Sequence, residues 1–247
     1  MPGGFLFLPV LNMNLYYLPD ISGEINILPK EESHHLIKVM RSNIGDHISL
    51  VDGNGGYYKA EIITPDPQGS TVKVINQQQN FNKRPYYLHI AISPTKNISR
   101  FEWFLEKATE IGIDEITPLE CQRSERTRIK RDRLDKILIS GMKQSLKAYL
   151  PRLRDIQKFH SFINDQKGWG YSKYLANGGQ EYPHLFMEKN KAEKTIILIG
   201  PEGDFTPNEI ELAVNNGFKV VSLGRSRLRT ETAGIVACEI INILNEQ

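Results

Sequence analysis

The spacing of apolar positions changes character once along the chain. Up to residue 76 they fall in short runs separated by turn residues. Leu15-Tyr16-Tyr17-Leu18 is a β-prone run closed by Pro19-Asp20. His47-Ile48-Ser49-Leu50-Val51 alternates, and Asp52-Gly53-Asn54-Gly55-Gly56 supplies residues that tolerate positive φ. Tyr57-Tyr58-Lys59-Ala60-Glu61-Ile62-Ile63 then returns as the second arm of a hairpin. Val72-Lys73-Val74-Ile75 predicts one more strand. A single helical patch at 31–40 carries Leu36, Ile37, Val39 and Met40 as its apolar positions. The pattern predicts a small β-rich domain, a partly closed barrel, over 1–76. The polar segment that follows ends in Pro85, which places a linker at 77–85.

From residue 86 onward strands and helices alternate. Tyr87-Leu88-His89-Ile90-Ala91-Ile92 is a buried-type strand. Ser99-Arg100-Phe101-Glu102 has the form of a capping box, and the helix it opens carries Phe104, Leu105, Ala108 and Ile111 on one side before Gly112. A strand is expected at 115–121. A helix is expected over 132–149, with Leu134, Leu138, Met142, Leu146 and Tyr149 spaced by three and four and Pro151 as its stop. Strands near 152–157, 171–176, 194–199 and 219–223 and a last helix at about 230–245 complete the pattern. Such alternation implies an α/β layer on a mostly parallel sheet over 86–247.

Composition narrows the class. The 247 residues favour two domains, and a hydrophobic fraction of 40 % excludes a disordered or fibrous chain. A net charge of +2 does not announce a nucleic-acid partner, so that case rests on where the charges sit. Two cysteines, Cys121 and Cys238, exclude a disulfide framework, a cysteine-rich zinc site and a CxxC centre, and fit a reducing cytoplasm. Cys238 falls on the apolar face of the last helix as a small core residue. His34-His35 has only His47 nearby and no carboxylate spacing, so no metal is expected. No apolar run approaches the ~18 residues of a membrane span. Phe5-Leu6-Phe7-Leu8-Pro9-Val10-Leu11 is apolar, but no basic residue precedes it and Pro9 interrupts it, unlike a secretory signal. Residues 1–12 are read either as the natural start or as an extension upstream of Met13.

Three segments carry chemistry. Thr195-Ile196-Ile197-Leu198-Ile199 runs into Gly200-Pro201-Glu202-Gly203-Asp204-Phe205, and Thr206-Pro207-Asn208-Glu209 then forms a second capping box with proline at the first helical position. A strand, a glycine loop and a helix place backbone amides at the carboxyl edge of a sheet, where open α/β folds bind ligands. The loop lacks the Lys-Ser/Thr of a P-loop, which disfavours a nucleotide triphosphate. The second segment is Val220-Val221-Ser222-Leu223-Gly224-Arg225-Ser226-Arg227-Leu228-Arg229-Thr230-Glu231-Thr232-Ala233-Gly234. Its three arginines sit between a strand end and a helix start, which favours an anion such as a phosphate backbone. Third, residues 123–133 hold six basic and two acidic residues, and Lys143, Lys147, Arg152 and Arg154 extend that character. A one-sided basic surface is the electrostatic footprint of nucleic acid, although most charge runs are only solvated faces.

Gly200-Pro201-Glu202-Gly203, followed about 20 residues on by Leu-Gly-x-x-x-Leu-Arg-Thr-Glu-Thr-Ala, resembles the signature of the RsmE family, 16S ribosomal RNA uridine-N3 methyltransferases of the SPOUT class. Lys107-Ala108-Thr109-Glu110-Ile111-Gly112, Arg123-Ser124 and Gln144-Ser145 match its central blocks. His35-Leu36-Ile37-Lys38-Val39-Met40-Arg41 and Gly45-Asp46 match its N-terminal domain. The resemblance implies a PUA-like β-barrel RNA-binding domain followed by a SPOUT-type trefoil-knotted α/β methyltransferase domain, working as a cytoplasmic homodimer on the small ribosomal subunit. It implies S-adenosylmethionine as the cofactor, held by Leu175, Ala176 and Asn177, by Ile199, Gly200 and Gly203, and by Leu223, Gly224, Leu228, Arg229 and Thr230. Arg41, Arg123, Arg126, Arg128, Lys130, Arg225 and Arg227 are the expected RNA contacts. Uracil N3 must lose its proton at or before attack on the methyl group, so arginines among Arg225, Arg227 and Arg229 would stabilise the developing anion or fix its phosphate, and Glu202 or Glu231 would take the proton. Each has a plainer reading: Arg229 as a cap, Glu231 as a partner of the helix dipole, Glu202 as a turn former. The chain departs from the family pattern at Asp204, where a second glycine is usual, at Arg225, often proline, and at Ser140 and Lys143, often acidic. A ribose 2′-O methyltransferase of the same class and a non-catalytic RNA-binding module are the alternatives. A Rossmann-type methyltransferase is disfavoured, since no glycine-rich loop follows the first strand of the α/β part.

Overall fold

In a computed structural model the described residues are 14–166, 170–178, 181–188 and 193–246. The N-terminal extension question therefore lies outside them. The chain divides into two compact units, one comprising residues up to Lys83 together with Met142–Tyr149, the other Arg84–Gly141 and Leu150 onward.

The first unit is a five-stranded sheet of β1 (Leu15–Tyr17), β2 (Ile25–Ile27), β3 (His47–Val51), β4 (Tyr57–Thr64) and β5 (Thr71–Gln78), in the order β1-β3-β4-β5-β2. β1 pairs parallel to β3 and the other neighbours are antiparallel. Tyr16, Leu28, Leu36, Leu50, Ala60, Ile62 and Val72 form its core. The hairpin at 52–56 is as expected, with Asp52 Oδ1 accepting from the Asn54 and Gly56 amides at 2.7 and 2.9 Å. β5 runs to Gln78, so the first residues assigned to a linker are strand. The 31–40 helix is α1 (Lys30–His34) widening into a π turn at His35–Val39. It buries Leu36 and leaves Val39 and Met40 exposed.

The second unit is a parallel sheet of β6 (Tyr87–Ile92), β7 (Glu115–Glu120), β8 (Arg152–Leu153), β9 (Gln157–Lys158), β10 (Ser172–Ala176), β11 (Lys194–Ile199) and β12 (Lys219–Val221). The order is β12-β10-β11-β6-β7-β8, with β9 beside β7. Both faces are covered, as a parallel sheet requires. On one face lie α2 (Ile98–Ile111), α3 (Arg131–Gln144) and α6 (Thr230–Glu246), around Phe101, Phe104, Leu134, Leu138, Ala237 and Cys238. On the other lie α4 (Phe159–Asp165) and α5 (Pro207–Asn215), around Phe159, Phe162, Phe205, Ala213 and Phe218. Gly234 lets α6 approach the sheet: a Cβ there would stand 2.6 Å from the Phe104 ring and 2.9 Å from Ile92.

Two helix boundaries differ from expectation. α2 is capped by Asn97, whose side chain accepts from the Ser99 amide at 3.1 Å, so Ser99 and Glu102 do not form a capping box. Asn caps as well as Ser and stands two residues earlier, and Glu102 instead meets Arg133 at 2.6 Å. α3 ends at Gln144 rather than 149, because Leu146 turns into the left-handed region at φ 56°.

His89 lies buried in β6, with Nε2 2.8 Å from Thr117 Oγ1 and 3.7 Å from Glu115 Oε1. Burial lowers its pKa from 6.5 to about 4, against the pull of Glu115 and with a smaller push from Arg154. The unfolded chain therefore binds more protons below pH 6.5, and stability falls as pH drops from 6.5 towards 4. This residue alone should contribute a slope approaching about 1.4 kcal/mol per pH unit inside that window. Urea melts of wild type and His89→Gln across the window check it: the wild-type midpoint should decline more steeply.

Candidate active site

Three loops meet at the carboxyl edge of the parallel sheet. They follow β10, β11 and β12, which lie side by side with β11 in contact with β6. Together they enclose a cleft of about 320 Å³. Ala176, Asn177 and Gly178 line it from the first loop, Ile199, Gly200, Pro201, Glu202 and Asp204 from the second, and Leu223, Gly224, Ser226, Arg227, Leu228 and Arg229 from the third. Thr230 and Ala233, in the first turn of α6, close it. The walls combine aliphatic side chains and glycine backbone with polar and charged side chains, among them Asn177, Glu202, Asp204, Arg227 and Arg229, so that apolar surface and polar groups converge as in a small-molecule site.

The local sequence explains the loops. Thr206 and Glu209 form the expected capping box, with the Thr206 amide 2.8 Å from Glu209 Oε2 and Pro207 in the first turn. Gly200 leaves room for Phe205, whose ring a Cβ would meet at 3.2 Å. Gly224 needs its lack of a side chain for its backbone, at φ +126°. Asp204, at the family's glycine position, has φ 63°. Aspartate is among the few side chains that visit this region, and its Oδ1 accepts from the Phe205 amide at 2.9 Å. The departure from the family pattern thus keeps the loop's shape.

Most of the expected cofactor residues come together here: Ala176, Asn177, Ile199, Gly200, Leu223, Gly224, Leu228, Arg229 and Thr230 all line the cleft. Two do not. Leu175 is fully buried, because alternation along β10 turns it into the core beside Phe205 and Leu198. Gly203 lies outside the lining, against the stem of Arg123. Gly178, Pro201, Asp204, Ser226 and Ala233 also line the cleft, and none of them is among the expected cofactor residues. They are neighbours of the motif glycines, a signal already present in the loop spacing.

The two candidate proton acceptors differ. Glu202 Oε1 accepts from the Lys96 amide at 2.9 Å, which ties the β11 loop to the turn after β6. Glu231 is only 6 % exposed. Its Oε2 is buried with no hydrogen-bond partner among the described residues, and its Oε1 is 3.8 Å from Arg100 Nε. Glu231 opens on a neighbouring cleft of about 550 Å³ that shares Arg227, Leu228 and Arg229 with the first.

The basic stretch is less free than its charge count suggests. Arg123 donates to the Gly203 carbonyl at 2.8 Å, and Arg126 to the Thr95 and Lys96 carbonyls at 3.0 and 2.7 Å. Arg131 pairs with Asp135 and Asp155, Arg133 with Glu102, Lys143 with Glu32 and Arg154 with Glu115. Arg128, Lys130, Arg225, Arg227 and Arg229 are exposed. Arg41 is exposed in the first unit, in the left-handed region at φ 57°. Among the described residues no group of His, Cys, Asp and Glu could hold a metal ion, and no helix is long and apolar enough to cross a membrane.

Comparison with known proteins agrees with this geometry. A model of the RNA methyltransferase domain matches residues 82–242, and one of the RNA methyltransferase PUA domain matches 28–75. These define an RNA methyltransferase with a PUA domain in front of its catalytic domain. The ribosomal RNA small subunit methyltransferase E of Synechocystis is 30 % identical, over 89 % of this chain and 73 % of its own. The crystal structure of a probable rRNA-methyltransferase from Porphyromonas gingivalis is 40 % identical, covers 95 % of this chain and 99 % of its own, and superposes with a TM-score of 0.88. A Neisseria gonorrhoeae ribosomal RNA small subunit methyltransferase E bound to S-adenosyl methionine shares the fold, at 24 % identity, a TM-score of 0.84 and coverage of 94 and 98 %. The chain belongs to the ribosomal RNA small subunit methyltransferase E family.

Asp204→Gly should leave thermal stability unchanged within about 0.5 kcal/mol. Asp204→Val should cost about 1–2 kcal/mol, since a β-branched side chain resists positive φ. Calorimetric melts of the two variants against wild type check both.

Proposed function

We propose that the protein transfers a methyl group from S-adenosylmethionine to N3 of one specific uridine in 16S rRNA of the small ribosomal subunit. The observation that carries this reading is the buried Oε2 of Glu231, unpartnered among the described residues, in the cleft that shares Arg227, Leu228 and Arg229 with the three-loop cleft. The cleft suits the cofactor: Ile199, Leu223 and Leu228 offer apolar walls for an adenine, and Gly200 and Gly224 keep side chains off the backbone. The cofactor named for the Neisseria relative supports the same assignment. When bound there, S-adenosylmethionine would supply a methyl group on a sulfonium, with a neutral thioether as the leaving group. Glu231 takes the proton of uracil N3, and the electron pair left on N3 forms the new N–C bond. Proton loss comes first, since both events use the same pair. Arg229 stabilises the charge that develops on the uracil oxygens. Glu202, already engaged by Lys96, shapes the loop instead.

In this reading Arg128, Lys130, Arg225 and Arg227 contact RNA from the second unit and Arg41 from the first, with Arg123 and Arg126 chiefly bracing loops. The strand order β12-β10-β11-β6 and the return of α6 over β6 and β11 support a trefoil knot in this unit. The family resemblance supports a homodimer, and a ribosomal RNA substrate a cytoplasmic location.

The test is methylation of small subunits, and separately of naked 16S RNA, from cells lacking the enzyme, with nucleosides identified by mass. 3-Methyluridine at one site is expected; a 2′-O-methyl product would overturn the assignment. Glu231→Gln should lower turnover by about 10²–10⁴ while S-adenosylmethionine binding persists. Normal turnover in both Arg229→Ala and Glu231→Gln would remove their catalytic roles. Arg128→Ala and Lys130→Ala should each weaken RNA binding and lower the slope of log affinity against log salt by about 1. Filter binding between 50 and 200 mM salt reads this, those limits being about the range over which the effect is large.

A further inference from the structure

The cleft that Glu231 lines lies between the N-terminal parts of α2 and α6; it shares Arg227, Leu228 and Arg229 with the cofactor cleft, and its other residues do not line that cleft. Ser99, Arg100 and Trp103 come from α2, Glu231 and Thr232 from α6. Trp103 is 42 % exposed, in a helix whose other aromatic residues, Phe101 and Phe104, are fully buried. An indole left in solvent beside exposed arginines is a stacking platform for a nucleic-acid base. Arg227 and Arg229 border it without an intramolecular partner among the described residues, and Arg100 has Glu231 as its neighbour at 3.8 Å.

Resting on the methyltransfer reading above, we propose that this cleft is the acceptor-nucleotide pocket: the target uracil, turned out of its RNA stack, lies on Trp103 with its N3 edge against Arg100 and Glu231. The pattern of donors and acceptors is that of uracil. Its N3–H donates, and Glu231 Oε2 is a buried acceptor with nothing to accept. Its neighbouring carbonyl accepts, and the Arg100 guanidinium donates beside that oxygen. Cytosine carries a lone pair at N3 in place of the N–H and an amine in place of O4, so it would set a lone pair against the carboxylate and, with the C4 side towards Arg100, a donor against the guanidinium. The cleft's volume of about 550 Å³ admits a nucleotide, and the shared wall of Arg227, Leu228 and Arg229 sets a base here next to the cofactor cleft. Extrusion of the base costs unstacking energy, which the indole returns by stacking.

Trp103 is one of two tryptophans, so Trp169→Phe leaves it as the sole indole reporter. A 16S rRNA transcript should quench its fluorescence, and the transcript with the target uridine changed to cytidine should quench it far less. In kinetics, Trp103→Ala and Trp103→Leu should lower kcat/KM for RNA by about 10- to 100-fold, the range of a lost base–aromatic stack. Trp103→Tyr should restore most of it, because the ring, not mere apolar bulk, is what stacks. S-adenosylmethionine affinity and oligomeric state should stay those of wild type in all three. Trp103→Leu turning over like wild type would overturn the proposal. So would loss of the dimer in Trp103→Ala with RNA quenching of the reporter absent, which would assign the indole to a second copy of the chain. Quenching by RNA in a wild-type protein that forms no 3-methyluridine would instead retain the pocket and reject the methyltransfer reading.

Discussion

The site depends on how the 200–206 loop is held, because its glycines cannot hold themselves. Glycines lose the most entropy on ordering, and this loop has two with an aspartate in left-handed conformation beside them. It is fastened from two neighbouring strand ends. Glu202 takes the Lys96 amide after β6, Arg123 reaches the Gly203 carbonyl from the segment after β7, and Glu209 takes the Gln122 amide at 2.8 Å while also capping α5. Arg126 grips the Thr95 and Lys96 carbonyls, and Ser93 and Ser124 share a hydrogen bond at 2.8 Å. Most of these bonds join a charged side chain to a backbone group, the stronger kind. A parallel sheet makes this possible by ending neighbouring strands on one edge, so that loops distant in sequence can brace each other.

This bracing revises the meaning of the basic run. In sequence, six cations among eleven residues look like one surface for a polyanion. In the fold, Arg123 and Arg126 serve carbonyl groups, and Arg131 and Arg133 serve carboxylates. Exposed ion pairs are worth little to stability, but they do remove charge from the field that RNA meets. Among the described residues Arg128 and Lys130 of the run stay exposed, as do Arg225, Arg227 and Arg229 beside the two clefts.

Much of this architecture is legible in the sequence, for identifiable reasons. Buried parallel strands read as unbroken apolar runs, and β6 and β11 are found that way. The Thr206-Glu209 box and Gly224 specify their own backbone and need no partner. The failures occur where distant contacts decide. β2 and α4 are too short to show a period. Asn97 and Ser99 are both good caps, and the sequence alone does not choose between them. Leu146 and Tyr149 keep the spacing of α3, yet Met142–Tyr149 belongs to the N-terminal unit and the helix stops at Gln144. Of the candidate site residues, those lining the cleft follow from the loops that carry them. Leu175 does not line the cleft, because strand alternation turns its side chain into the core.

Glu231 shows why a site residue can be visible in sequence and still not be understood there. At the first turn of a helix a glutamate has a sufficient reason to exist, since its charge meets the positive end of the dipole. That reason does not require burial, and an exposed glutamate would serve it at lower cost. Burying a carboxylate with one oxygen unpaired is unfavourable, so the position is suboptimal for stability alone. Arg100 offsets part of that cost through Oε1, leaving Oε2 with an unmet demand for a donor. Such local conflicts between stability and geometry are where function is expected. The adjoining exposed indole and the exposed Arg227 and Arg229 make a nucleobase N–H a fitting donor to meet that demand.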